Sequence, residues 1–106
     1  MIYALATVEL HDGARDAFLA EFRKVVPLVR AEDGCIEYGS TVDLPTSIPL
    51  QLPPRDNVVV IVEKWRDLSA LEAHAVAPHM TPYRVSIKDY VVQITAQILV
   101  PTDDSE

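Results

Sequence analysis

The densest hydrophobic pattern in the chain is Val58-Val59-Val60-Ile61-Val62, an unbroken β-branched run of the kind found in strands buried on both faces. Extended from Asn57 to Trp65, it predicts a strand that carries Ile61, Glu63 and Trp65 on one side. Three other segments read the same way. From Ile2 to Leu10 apolar residues dominate, and the polar Thr7 and Glu9 share a face at period two. Cys35 to Asp43 sets Ile36, Tyr38, Ser40 and Val42 against Cys35, Glu37, Gly39 and Thr41, and Val92 to Val100 closes the chain's periodic part.

Between the strands the period changes to that of a helix. After the turn His11-Asp12-Gly13, in which Asp12 is placed to cap, an apolar stripe runs through Ala14, Phe18, Phe22, Val25 and Val29. Pro27 lies inside this stripe and removes a backbone hydrogen bond, so a kink or an early end is expected there, with Gly34 as a left-handed C-terminal cap. Asp67 or Ser69 caps a second helix through Leu71 and His74, and Pro78 restarts a third through Met80, Tyr83, Ile87 and Tyr90.

The order βαββαβ predicts a ferredoxin-like α+β fold, an antiparallel sheet with its helices on one face. The other face is too apolar to meet water, since Val58, Val60 and Val62 oppose Val59 and Ile61, and a second copy is expected to cover it. Leu44 to Asp56 holds Pro45, Pro49, Pro53 and Pro54, which rule out a helix or a central strand, yet it also carries Ile48, Leu50 and Leu52. A loop of that length with three large aliphatics is expected to pack on something, as a lid or a dimer arm. A short polar tail occupies 102–106.

Composition narrows the partners. At 106 residues the chain is a single domain spanning 1–106. Sixteen acidic against nine basic residues give a formal charge of −7, the wrong sign for a nucleic-acid or anionic-membrane binder. A neutral, apolar or cationic small molecule suits it better. The chain opens straight into strand-like sequence, with no basic region ahead of an apolar core and no apolar run near ~18 residues, so the expected location is the cytoplasm. Cys35 is the only cysteine, which excludes an internal disulfide and reads as a small buried residue beside Ile36.

The region from Glu63 to Met80 concentrates chemistry: a carboxylate, an indole and two imidazoles lie around one strand-to-helix turn. Gly34-Cys35-Ile36-Glu37-Tyr38 after the first helix, Glu63-Lys64-Trp65 closing the third strand, and Leu71-x-x-His74-x-x-x-Pro78-His79-Met80 resemble the antibiotic biosynthesis monooxygenase family. The resemblance runs from about Ile2 to Pro101. It implies a dimeric α+β barrel and a cofactor-free monooxygenase acting on quinols or polycyclic phenols, with outlying members that degrade haem or isomerise small signalling molecules. The loop at 44–56 is longer than the family's connection, which changes what can be expected of the pocket's shape.

The residues support such chemistry independently. A phenol or hydroquinone becomes electron-rich on deprotonation and can then pass an electron to oxygen, so the protein need supply only a base, a dry cavity and an orientation. Molecular oxygen is the expected co-substrate, with no cofactor and no metal. His74 or His79 is the natural base, because a histidine ordinarily titrates near pH ~6.5. Trp65 and Tyr38 offer faces for an aromatic ring, and Glu63 can orient an imidazole or accept a phenolic proton. The expected catalytic group is therefore His74, Trp65 and Glu63, with Tyr38, His79, Met80 and Tyr83 lining the pocket.

Each of these also has a plainer reading. Trp65 fits a core position equally well, His74 a helix surface, His79 a first helical turn, and Tyr83, four residues after His79, simple packing. A helical metal pair is disfavoured because His74 and His79 are five residues apart with Pro78 between them. No serine or cysteine occupies a strand-turn-helix elbow, and three glycines are too few for a phosphate loop. Three alternatives stand beside the monooxygenase: a cofactor-free isomerase of a small oxygenated metabolite, a haem-degrading enzyme, and a non-catalytic binding protein. The haem reading lacks the Asn that such relatives carry on the first strand.

Overall fold

The computed structural model describes residues 1–103, so the expected tail at 102–106 lies outside the described residues from position 104 on. Its elements are β1 (Ile2–Leu10), α1 (Arg15–Arg30), β2 (Cys35–Thr41), β3 (Val58–Trp65), α2 (Leu68–Ala75), α3 (Met80–Ile87) and β4 (Val91–Leu99). The four strands form one sheet in the order β2-β3-β1-β4, antiparallel throughout. This is the ferredoxin-like α+β architecture expected from the pattern.

The core lies between the sheet and α1. Phe18, Phe22, Val25 and Val29 are the buried stripe of that helix. They meet Val8, Val59, Ile61, Tyr38 and Trp65 from the sheet. The helix runs unbroken through Pro27, which sits on its exposed side; the expected early end does not occur, because the lost hydrogen bond falls where water can replace it. Asp12 does not cap α1 either. It accepts a hydrogen bond from Asn57 Nδ2 at 3.2 Å, and the N-cap is Ala14, with no side-chain bond.

Gly34 takes a left-handed φ of 85° three residues beyond the helix's own cap, Ala31. It has a second reason to be glycine. A Cβ there would stand 2.6 Å from the Cβ of Ala70, in the first turn of α2. The main chain at Gly34 is also tied to the end of β3 by Arg66 N–H to Gly34 O at 2.8 Å. The absence of a side chain thus lets α2 close down on the start of β2.

Along β3, burial alternates, with Val59, Ile61, Glu63 and Trp65 inward. Val58, Val60, Val62 and Lys64 face the opposite, helix-free side and are only partly covered within the chain. In β2 a bulge at Ile36 shifts the pairing from Cys35↔Trp65 to Glu37↔Lys64, so Cys35 and Tyr38 share the inward face and Ile36 is exposed. Strict alternation had put them on opposite faces. Cys35 is consequently half-buried against the core.

Two regions stay uncovered. β4 is exposed along almost its whole length, Ile94 and Ile98 included. The aliphatic side chains of the 44–56 loop are uncovered within the chain, with Ile48, Leu50 and Leu52 exposed at 62%, 93% and 82%. The loop is nonetheless internally braced. Asp43 and Arg55 close its base through a two-pronged ion pair at 2.8 and 3.0 Å, and Gln51 Nε2 donates to Leu44 O at 2.6 Å. Among the described residues no helix is long and apolar enough to cross a membrane.

Candidate active site

Three elements deliver polar side chains to one end of the core. β3 places Glu63 and Trp65 two residues apart on the inward face, where Trp65 Nε1–H donates to Glu63 Oε1 at 3.0 Å. Asp67 caps α2 by accepting from Ala70 N–H at 2.9 Å, and α2 carries His74 inward at its last turn. The helix then breaks at Val76 to Pro78, and His79 stands at the N-cap of α3. The two histidines come off different helices, so their five-residue separation does not keep them apart.

They converge on Glu32. His74 Nδ1 lies 2.9 Å from Glu32 Oε2, and His79 Nε2 lies 2.6 Å from the same oxygen. Glu32 belongs to the short turn between α1 and β2, a run of Ala31-Glu32-Asp33-Gly34 that reads as a solvated acidic turn; sequence reasoning missed it. Its one signal was position, two residues ahead of a left-handed glycine. A turn's direction, which no periodicity encodes, decides where its side chain goes.

His74 is 6% exposed and Glu63 7%, while Trp65 is fully buried. The indole stacks on the His74 ring at 4.7 Å between centroids with a 31° tilt, and Tyr38 meets the same imidazole edge-on at 5.5 Å. Trp65 therefore faces a histidine in this structure and not an open cleft. The remaining nitrogen of His74, Nε2, points toward Glu63 Oε1 at 3.9 Å, beyond hydrogen-bond range. No fully buried side-chain nitrogen or oxygen among the described residues lacks a hydrogen-bond partner.

Burial sets the electrostatics. It pushes the Glu63 carboxyl above its usual range, and Glu32 adds to the rise, against the lowering effect of the Trp65 N–H and of His74. Burial, Tyr83 and the two carboxylates hold the Tyr38 hydroxyl far above its ordinary value, and burial and Glu63 do the same for Tyr83. Both phenols are neutral, amphipathic walls. The Cys35 thiol is also raised, first by burial and then by Glu32 and Glu63, which makes it a poor nucleophile.

Of the other residues expected in the pocket, Tyr38 stacks on Phe22 at 5.3 Å, and Tyr83 meets Phe22 edge-on at 6.2 Å. Met80 is buried in the core at the start of α3. Two open clefts flank His79. One of about 540 Å³ lies between the α1–β2 turn and α2 and reaches Glu32, Arg66, Ala73 and Pro78. The other, of about 270 Å³, lies between α1 and α3 and is lined by Val25, Leu28, Pro82 and Tyr83 among others. Among the described residues no set of three or more His, Cys, Asp or Glu side chains is arranged to hold a metal ion.

Residues 1–84 match the family model described as antibiotic biosynthesis monooxygenase. Over 103 residues the chain is 35% identical to the protein named probable quinol monooxygenase YgiN of Escherichia coli (strain K12), covering 95% of this chain and 98% of that one. In fold it is similar to Rv0793 from Mycobacterium tuberculosis, with a TM-score of 0.78 at 24% identity over 99% of this chain and 98% of that one. PA3566 from Pseudomonas aeruginosa gives 0.77, also at 24% identity, over 96% of this chain and 94% of that one. With the family model spanning the site and a relative of that identity matching nearly end to end, the chain belongs to the antibiotic biosynthesis monooxygenase family.

Proposed function

We propose that the protein is a cofactor-independent monooxygenase that oxidises a small aromatic quinol or phenol with molecular oxygen, using His74 as the base. Family membership carries the general class, a monooxygenase-type enzyme. One observation carries the finer reading. His74 has one nitrogen bound to a carboxylate and the other open, against an indole and beside a buried carboxyl group. An imidazole so placed can take a phenolic proton at Nε2 and hold the resulting charge between Glu32 and the Trp65 face.

The electron balance explains why no external reductant is needed. A hydroquinone that gains one oxygen atom at a ring carbon and leaves as a hydroxyquinone gives up four electrons, which reduce O2 to that inserted oxygen and one water. The protein's part is deprotonation, orientation and exclusion of bulk water. Tyr83 supplies an amphipathic wall of the smaller cleft, Tyr38 backs the His74 ring, Met80 packs in the core beneath, and His79 stands where the open clefts reach the cluster.

The working unit in this reading is a homodimer, in which a second copy covers the partly bare sheet face and the exposed β4. Its partners are a small aromatic substrate and its own copy, with no role for nucleic acid or membrane, and its location is the cytoplasm. Oxygen uptake by chelator-treated protein, with a substituted 1,4-hydroquinone, tests the reaction. Uptake that depends on both protein and quinol, with a hydroxylated product, is expected. Binding without uptake would identify a binding protein, quinol-independent rearrangement an isomerase, and a Soret band on haem titration the haem-degrading alternative.

A further inference from the structure

We infer that Glu32 is the positioning residue of this site: by taking both imidazoles on one carboxylate oxygen, it fixes the proton of His74 on Nδ1 and leaves Nε2 as the basic nitrogen. This rests on the reading of His74 as the base. An ionised carboxylate has only acceptor sites, so each nitrogen that contacts it must present an N–H. His74 offers Nδ1 and His79 offers Nε2, both to Oε2. For His74 the choice has a chemical consequence, because Nε2 is the nitrogen turned toward Glu63.

Glu32 is built to hold this geometry. Its own N–H donates to Val29 O at 2.9 Å, and its carbonyl accepts from Cys35 N–H at 3.1 Å, so the backbone is fixed on both sides of the residue. The following Gly34 is locked by its left-handed conformation and by Ala70. His79 is the second anchor, on the same carboxylate oxygen. A carboxylate left with one imidazole partner could rotate toward the 540 Å³ cleft that it lines; with two it cannot without losing one.

The tautomer of His74 in uniformly 15N-labelled protein tests this, read from two-bond nitrogen–hydrogen correlations at a pH where the ring is neutral and with no substrate present. The Nδ1–H form is expected in the wild type. Glu32→Leu, which has no acceptor, should move His74 toward Nε2–H and lower kcat for hydroquinone oxidation about 10²-fold with KM little changed. Glu32→Asp should recover the Nδ1–H form and part of kcat. A wild-type His74 in the Nε2–H form, or a folded Glu32→Leu that keeps Nδ1–H and full kcat, would overturn the inference. If Glu32→Leu does not fold, the wild-type and Glu32→Asp spectra still decide it. A wild type with Nδ1–H but no oxygen uptake rejects the proposed reaction and leaves the tautomer lock standing.

Discussion

Position 63 sets a carboxyl group in a β-branched strand where its neighbours on the same face are Ile61 and Trp65, and its stability signature follows from burial. Its folded-state pKa is raised above the ordinary 4.5, so the folded protein binds that proton more tightly than the unfolded chain. Stability from this group is full below pH 4.5 and is lost as pH rises through the folded value. Glu63→Gln, whose side-chain oxygen can still accept from Trp65, should therefore gain stability relative to wild type as pH rises from 4.5 toward neutral. Melting temperatures of the two proteins across that window check the sign. His74→Ala should lower quinol turnover by roughly 10²–10⁴, the usual contribution of a positioned base, and should also lower the melting temperature, because it empties a buried position between Trp65 and Tyr38. Unchanged turnover in that variant would shift the base to His79, and Trp65→Phe, which leaves a gap at a fully buried position and takes the indole's donor from Glu63, should lower the melting temperature.

Helix α2 is only eight residues long and owes its place to its contacts more than to its propensity. Gly34→Ala would force a Cβ against Ala70 and a side chain into a left-handed backbone, each costing roughly 1–3 kcal/mol. The expected result is a lower melting temperature together with lost turnover, since the same shift moves His74; a variant with wild-type values of both would show that α2 can step aside. At this scale the sequence was legible where periodicity speaks. The stripe of α1, the alternation of β3 and the Asp67 cap could be read directly, because burial repeats at the period of the element. The Ile36 bulge and the unbroken passage through Pro27 could not. Both depend on which neighbour or how much water lies beside one residue. His74, Glu63 and Trp65 were visible as chemistry-bearing types at a strand-to-helix turn, whereas Glu32 looked like any acidic residue in a surface turn, because only the folded chain brings it under two helices.

The molecule as a whole is flat, with extents of 37 × 36 × 20 Å, and one broad side of its sheet carries no helix. Val58, Val60 and Val62, with Leu5 across the β1–β3 pairing, form the apolar centre of that side, and the exposed Ile94 and Ile98 of β4 extend the uncovered surface on the other. A dimer burying more than ~1,200 Å² in total is the expected outcome. Sedimentation at micromolar concentration checks it, and a stable single-chain species would contradict it.

If the braced loop at 44–56 is an arm that docks on the second copy in such an assembly, its stiffness bears on how long the two chains stay together. Arg55 holds the Asp43 carboxyl low, at a pKa of about 2, so the clasp at the loop's base stays charged over all ordinary conditions. Four prolines and the Gln51 bond leave the arm few shapes to choose from before it meets anything. An arm that gives up little freedom on docking has little to regain on leaving, so its rigidity should be felt chiefly as residence time. Two differently labelled populations of the protein, mixed together, would then trade chains slowly, and loosening the clasp would hasten the trade while leaving each chain folded as before.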